Sequence, residues 1–313
     1  MFLHKLTQPL KKATLLGVAF LLPLLAIAQN PNVGTDDGSD DRLRVIAIFA
    51  HPDDADSKMG GTAALMAQMG HAVKFVSITS GDAGHQSQGG GALAKRRRAE
   101  AQEAGRRLGI DEYVVLDNHD GELLPELHIR QQVIREIRKW NADVVLGLRP
   151  NDYHPDHRYA GVLVQDAAYM VVVPNVTPDT PPLKKNPVFL YMNDRFQKPN
   201  PFSHDIVVGI DDVLETKVRG LDAHVSQMYE WLPWVNGTLE DVPETSQERI
   251  QWMMDRRTSW SRVSDEQRAS MIKWYGEEKG SQFQHAESFE ICEYGYQPTE
   301  EDIRRIFPMF DQP

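Results

Sequence analysis

The feature that most constrains this chain is an alternation, between residues 44 and 148, of short apolar runs with helix-patterned stretches. "RVIAIFA" (44–50), "AVKFVSIT" (72–79), "EYVVLD" (112–117) and "ADVVLGL" (142–148) have strand length and lack the polar alternation of a sheet wetted on one side. Strands covered on both faces read this way. Between them, "GTAALMAQMG" (61–70), "LAKRRRAEAQEAGRRLG" (93–109) and "PELHIRQQVIREIRKW" (125–140) have helical spacing, the second closed by glycine and the third opened by proline. The pattern predicts an α/β fold with a mostly parallel sheet between two layers of helices. Such sheets bind ligands beyond the carboxyl ends of their strands. Neither a G-x-G-x-x-G nor a G-x-x-x-x-G-K-[ST] pattern follows the first strand, so dinucleotide and P-loop readings lack support.

The flanks read differently. Residues 1–28 combine Lys5, Lys11 and Lys12 with the apolar run "LLGVAFLLPLLAIA", which ends in Ala26-Ile27-Ala28. A basic start, a short apolar stretch and a small-x-small ending predict a secretory signal peptide cleaved near Ala28, and hence a periplasmic or extracellular mature protein with no transmembrane span. Residues 29–42 are polar, rich in Gly and Asp, and predict a flexible leader. Cleavage removes three lysines and no acid, so the formal charge of −11 becomes −14. A surface that acidic argues against nucleic acid or anionic membrane as a partner. The single cysteine, Cys292, excludes an internal disulfide.

Regularity falls after residue 174. "VFLYM" and "DIVVGI" read as strands and "DDVLETKVRGLDAHVSQ" (211–227) as a helix. Residues 231–313 hold Trp231, Trp234, Trp252, Trp260 and Trp274 and predict a helical extension packed on the same domain, which itself spans 43–230. Tryptophans at helical spacing are mostly core. Trp231 and Trp234, read as loop residues, are the two placed to reach a ligand.

Chemistry concentrates in two stretches that follow strands. "FAHPDDADSKMGGT" (49–62) brings His51, Asp53 and Asp54 to the end of the first strand, and "RPNDYHPDHRYAG" (149–161) brings His154, Asp156 and His157 to the end of the fourth. In a parallel sheet both clusters lie at one edge. Two neighbouring carboxylates raise each other's pKa unless a cation offsets them. Two histidines and an aspartate with an open fourth position suit a catalytic zinc. In a tight turn His51 and Asp54 face one point while Asp53 turns aside, free to reach a water. The competing reading is that these are loop residues and an Asp N-cap, and the coincidence of two clusters at matching strand ends weighs against it.

"AHPDD", "GGT", "SGDAG", "RRAEAQEAGRRLG", "HPDH" and "KVRGLDAHVSQ", in that order over residues 44–230, resemble the PIG-L/LmbE-like family of zinc-dependent de-N-acetylases. The resemblance implies a Rossmann-like three-layer sandwich and hydrolysis of the acetamide of an N-acetylglucosaminyl group. It implies one zinc per chain held by His51, Asp54 and His157, with Asp53 as general base and His154 stabilising the oxyanion. Another divalent first-row ion is compatible with the same ligands. Arg97 matches a substrate-contacting arginine and Asp120 an acid that binds sugar hydroxyls. Asp156 is a candidate to orient an imidazole, and His224 a candidate second acid or packing residue.

Two positions depart from the family pattern: Ala55 stands where glutamate is usual, and Lys58 where a glycine is. Both make the site mouth less negative, which favours an anionic substrate or weakens metal binding. The expectation is an exported zinc amidohydrolase acting on a small-molecule or oligosaccharide N-acetyl amino sugar. Its alternatives are an amidase for another N-acyl glycoconjugate and a non-catalytic carbohydrate-binding protein. The Gly-rich loop 80–92 is either a lid or an ordinary connection.

Overall fold

A computed structural model describes residues 42–311. The expected signal peptide and all but the last residue of the expected leader lie outside the described residues. Strands β1 (Arg44–Phe49), β2 (Ala72–Thr79), β3 (Glu112–Asn118), β4 (Val144–Gly147), β5 (Val188–Met192), β6 (Ile206–Gly209) and β7 (Ala286–Gly295) form one sheet in the order β3-β2-β1-β4-β5-β7-β6. The first five are mutually parallel, and only β7 runs against its neighbours. Every residue of β1 from Val45 to Phe49 is fully buried. Since successive strand side chains point to opposite faces, both faces must be covered.

The cover is helical. Helices α1 (Asp54–Gln68), α2 (Gly90–Leu108) and α5 (Leu214–Asp222) pack on one another, and α3 (Leu127–Trp140) packs on α4 (Pro155–Met170). Trp140, closing α3, is buried and donates from its indole Nε1 to Val45 O at 3.0 Å, tying α3 to β1. Among the described residues no helix is long and apolar enough to cross a membrane.

Helix α1 breaks at Met59, whose φ of −144° is not helical. The restarted helix therefore has unpaired N–H groups at its own beginning. Glu287 of β7 accepts both: Gly61 N at 3.0 Å and Thr62 N at 2.7 Å. Lys217 of α5 closes the arrangement, its Nζ 2.8 Å from Glu287. The glycines of "GGT" serve this approach, because a Cβ on Gly61 would fall 2.8 Å from the Ile210 side chain.

The region after residue 230 adds more to the sheet than a helical cover. It supplies β7, inserted between β5 and β6, besides the short helix α6 (Leu232–Val235) and helices α7 (Ser246–Arg257) and α8 (Asp265–Tyr275). A β-strand from the chain's last thirty residues occupying an inner position makes residues 231–311 part of the same fold, beyond the boundary the composition suggested. Trp274 is core, stacked on Phe310 at 5.3 Å. Trp231 and Trp234 sit in helical turns instead of a loop and stack on each other at 5.4 Å, with Trp234 half exposed.

Candidate metal centre

After β1 the chain turns toward β2 and β3, and after β4 it turns the other way toward β5. Strands β1 and β4 are neighbours, so the crevice where an open α/β sheet binds its ligands lies between their ends. The loop after β1 delivers His51, Asp53 and Asp54 there; the loop after β4 and the start of α4 deliver Asp152, His154, Asp156 and His157.

Three side chains converge. His51 Nδ1 lies 3.2 Å from His157 Nε2 and 3.6 Å from an Asp54 oxygen, and His157 Nε2 lies 3.4 Å from the other Asp54 oxygen. Ligands at about 2.0–2.1 Å from a tetrahedral zinc stand roughly 3.3 Å apart. The triangle has that size. The far nitrogens of both rings are engaged by carboxylates: His51 Nε2 is 2.9 Å from Asp120 and 3.2 Å from Asp156, and His157 Nδ1 is 3.0 Å from Asp152. Carboxylates at the outer nitrogens can hold a proton there and leave the inner nitrogens to a cation once the rings are neutral, the arrangement that orients metal-binding imidazoles.

Two other groupings, His51–His154–His157 and His51–Asp120–Asp156, also lie within 4.8 Å. The first includes His154, whose Nδ1 accepts from Asp156 N at 3.2 Å as the N-cap of α4. Its proton is then on Nε2, which makes it a donor. The second grouping would require His51 Nε2 as a ligand, yet that atom is already between two carboxylates. In the triangle of His51, Asp54 and His157 the carboxylate contacts of both rings lie on the nitrogens away from it or on Asp54 itself.

Charge supports the same assignment. The carboxylates of Asp53, Asp54, Asp120, Asp152 and Asp156 meet Arg97 and the His51 and His157 rings within ion-pair distance. The cluster stays negative even with both rings protonated. Without a cation it recruits protons instead. Burial pulls His157 down, but Asp54 and Asp152 outweigh it and raise the imidazole to about 9. Burial likewise opposes, and Asp120, Asp156 and Asp54 together override, so that His51 stands well above its ordinary value. Asp120 is held at about 2 against burial by His51 and Arg97. These residues fit a divalent cation, which would displace the ring protons.

Asp53 is set apart. It is the N-cap residue of α1 with φ at 115°, a left-handed conformation that costs a non-glycine residue about 1–3 kcal/mol. Its side chain makes no capping bond. Its backbone N–H donates to the Tyr113 hydroxyl at 3.1 Å, and that hydroxyl donates to Asp56 at 2.7 Å. Arg97 is buried and donates to Pro52 O at 2.7 Å, to Gly81 O at 3.1 Å and to Asp53 Oδ1 at 3.3 Å. A Cβ on Gly81 would fall 2.3 Å from the Arg97 guanidinium, so the glycine of "SGDAG" makes room for it. Burial raises Asp53 to about 6, with Arg97 opposing.

The residues singled out in the sequence lie near one another. Arg97 and Asp120, expected to contact the sugar, are buried, with Arg97 against Asp53 and Asp120 against His51. Asp156 faces His51 and also accepts from Gly121 N at 2.7 Å. His224 is fully buried and faces Asp56 at 3.3 Å, away from the metal ligands. Three participants escaped the sequence reading. Asp152 lay inside the quoted "RPNDYHPDH", whereas Tyr113 and Asp56 carry no local signal. Loop 80–92 is fastened: His85 contacts Glu230 at 2.8 Å, and Gln227 donates to Gly84 O at 3.0 Å.

Residues 46–168 match the family described as PIG-L, GlcNAc-PI de-N-acetylase. The chain is 32% identical over 206 residues to a diacetylchitobiose deacetylase of Thermococcus kodakarensis, covering 62% of this chain and 74% of the relative. The chain belongs to the PIG-L family. It is also similar to a probable N-acetyl-alpha-D-glucosaminyl L-malate deacetylase 2 of Bacillus cereus, 27% identical over 58% of this chain and 83% of that one. Among solved structures, the N,N'-diacetylchitobiose deacetylase of Pyrococcus horikoshii superposes with a TM-score of 0.57 at 25% identity, covering 79% of this chain and 83% of that chain. The PIG-L match ends at residue 168, so β5, β6 and β7 lie outside it.

Proposed function

We propose that this PIG-L protein is a zinc-dependent deacetylase that removes the N-acetyl group from an N-acetylglucosamine-type sugar or glycoconjugate. The observation that carries the reading is the inward-facing triangle of His51 Nδ1, Asp54 and His157 Nε2, with edges of 3.2–3.6 Å and Asp53 held beside it. The family membership and the names of the relatives support the reaction class.

A divalent ion held by those three side chains would supply Lewis-acid activation of the amide carbonyl and of the attacking water. The protein supplies the rest. Asp53, raised by burial to about 6, is ionised at neutral pH and basic enough to take the water proton. Arg97 and Tyr113 fix its carboxylate and its strained backbone, so the base is positioned before substrate arrives. His154, with its Nδ1 occupied, presents Nε2–H to the oxyanion that forms as the carbonyl carbon becomes tetrahedral. Asp120 and Asp156 hold His51, and Asp152 holds His157. Arg97 and Asp120 thereby act on the sugar's amide through Asp53 and His51.

Export of the mature chain belongs to the proposal and is tested by the N-terminal mass of the protein recovered outside the cytoplasm. The metal reading is tested by elemental analysis after dialysis, wild type beside His157→Ala, followed by amine release from N-acetylglucosaminides. About one zinc per chain, lost in the variant, together with acetate release is the expected outcome. Release of larger acyl groups in preference to acetate would move the assignment to a different amidase. No metal uptake by the wild type would overturn it.

A further inference from the structure

We propose that His224 is a positioning residue for Asp53, acting through Asp56 and the Tyr113 hydroxyl on the strained turn that carries the base. The role of Asp53 as base rests on the deacetylase reading; the hold on its turn does not.

The contacts start at the turn. Asp53 has a left-handed backbone, which persists only where its surroundings fix it. Arg97 holds the side chain, and Tyr113 Oη separately holds the backbone N–H at 3.1 Å. The Tyr113 ring makes edge contacts with Phe49 and Phe75, at 5.9 and 5.5 Å between centroids, so the freedom left is rotation of its hydroxyl. A phenol has one proton to give. Asp56 Oδ2 accepts it at 2.7 Å, which leaves an oxygen lone pair for Asp53 N–H. With Asp56 turned away, the hydroxyl proton is free to point at that N–H, and the hold is lost.

Asp56 needs a partner of its own, because it has no exposed surface and an unpaired buried carboxylate is costly. His224 stands there. Its ring is equally buried, and Nε2 lies at ion-pair distance, 3.3 Å, from Asp56 Oδ1, the oxygen that Tyr113 leaves open. Burial lowers the imidazole, but Asp56 and Asp53 outweigh it and raise its pKa above the ordinary value, which favours the charged ring. Packing alone does not call for a histidine: Nδ1 is buried with no hydrogen-bond partner among the described residues, a cost that an apolar side chain avoids. The segment bearing the ring is itself anchored, since Ser226 donates from N and Oγ to Glu100 of α2 at 3.1 and 2.5 Å.

The test compares wild type, His224→Leu, His224→Gln, Tyr113→Phe and the double variant His224→Leu/Tyr113→Phe, all loaded with zinc. Glutamine places its amide nitrogen near the position of Nε2 and keeps a donor for Asp56, whereas leucine does not. The readouts are kcat and KM for amine release from methyl N-acetylglucosaminide, zinc content, and hydrogen exchange at the Asp53 amide, followed by magnetic resonance on protein with labelled aspartate. Should His224→Leu fail to fold, His224→Asn, whose amide stands near Nδ1 and falls short of Asp56, is read in the same way.

In His224→Leu, kcat should fall about tenfold and the Asp53 amide exchange about tenfold faster, with KM and zinc content as in the wild type. His224→Gln should recover most of both. The double variant should turn over no more slowly than Tyr113→Phe alone, because groups acting along one path are not additive. Wild-type kcat and amide exchange in His224→Leu overturn the proposal. So do losses that multiply in the double variant, or a loss of zinc, which would place the action on Asp54. Absence of turnover in the wild type, with amide exchange that responds as expected, keeps the hold on Asp53 and removes the deacetylase reading. Absence of both turnover and the exchange response overturns the two together.

Discussion

Two buried charge clusters lie against the same helix and treat charge in opposite ways. At the kink of α1, Glu287 meets Lys217 at 2.8 Å and two backbone N–H groups, so its lone pairs and its charge are answered within the protein. At the start of α1, Asp54 and four further aspartates gather around two imidazoles and one guanidinium, and the sum stays negative. The balanced cluster joins β7 and α5 to the first half of the chain. The unbalanced one awaits a cation. Closed charge marks structure and open charge marks a site.

The comparison is broken most sharply by substitutions that should affect one cluster only. Asp53→Asn removes the carboxylate proposed as base and leaves the three proposed metal ligands in place. Turnover should fall about 10²–10⁴-fold with zinc content unchanged, measured by amine release and elemental analysis on the same sample. A loss of zinc along with activity would mean that Asp53 is a ligand after all.

Glu287→Ala should do the reverse. It leaves Lys217 buried without its partner and the N–H groups of Gly61 and Thr62 unpaired, at an expected cost of about 3–5 kcal/mol in urea unfolding. If the variant unfolds at the wild-type midpoint, water has replaced the carboxylate and the cluster is not structural.

Proton competition separates the clusters by pH. Without metal the His157 imidazole has a pKa raised to about 9, so it is protonated at neutral pH and must lose that proton to bind a cation. Apparent zinc affinity should therefore rise with pH, by about tenfold per unit for this proton, and level off above about 9. Affinity independent of pH between 7 and 9 would contradict the protonated ring.

The smallest effect is expected at Tyr113→Phe. The change removes the acceptor of Asp53 N–H and the donor to buried Asp56, costing about 1–3 kcal/mol of stability. Turnover should fall with zinc content intact, since the strained turn of the base loses one of its holds. Unchanged kcat would show that Arg97 suffices.

Legibility from sequence followed the range of the interactions. His51, Asp53 and Asp54 span four residues just after an unmistakable strand, and His154, Asp156 and His157 span four residues in the loop and helix start that follow another, so the convergence needed only the parallel order of the strands. The loss of a family glutamate at Ala55 looked like a missing carboxylate, and the structure finds Asp56, one residue on, fully buried against Tyr113 and His224. Arg97 looked like a charge on an amphipathic face, and only its contacts 16 to 45 residues away turned it inward.

By itself the sequence determined what local chemistry can encode: covered parallel strands, the helices between them, and donor types grouped at strand ends. The tertiary structure alone decided which atoms face which. Tyr113 meets Asp53 across 60 residues, Asp156 meets His51 across 105, and Glu287 caps a helix 226 residues earlier. The position of β7 inside the sheet is of the same kind, because strand pairing joins backbones that carry no mark of their partner. Periodicity is a property of neighbours along the chain, while the orientation of an imidazole or the holding of a strained aspartate is a property of neighbours in space.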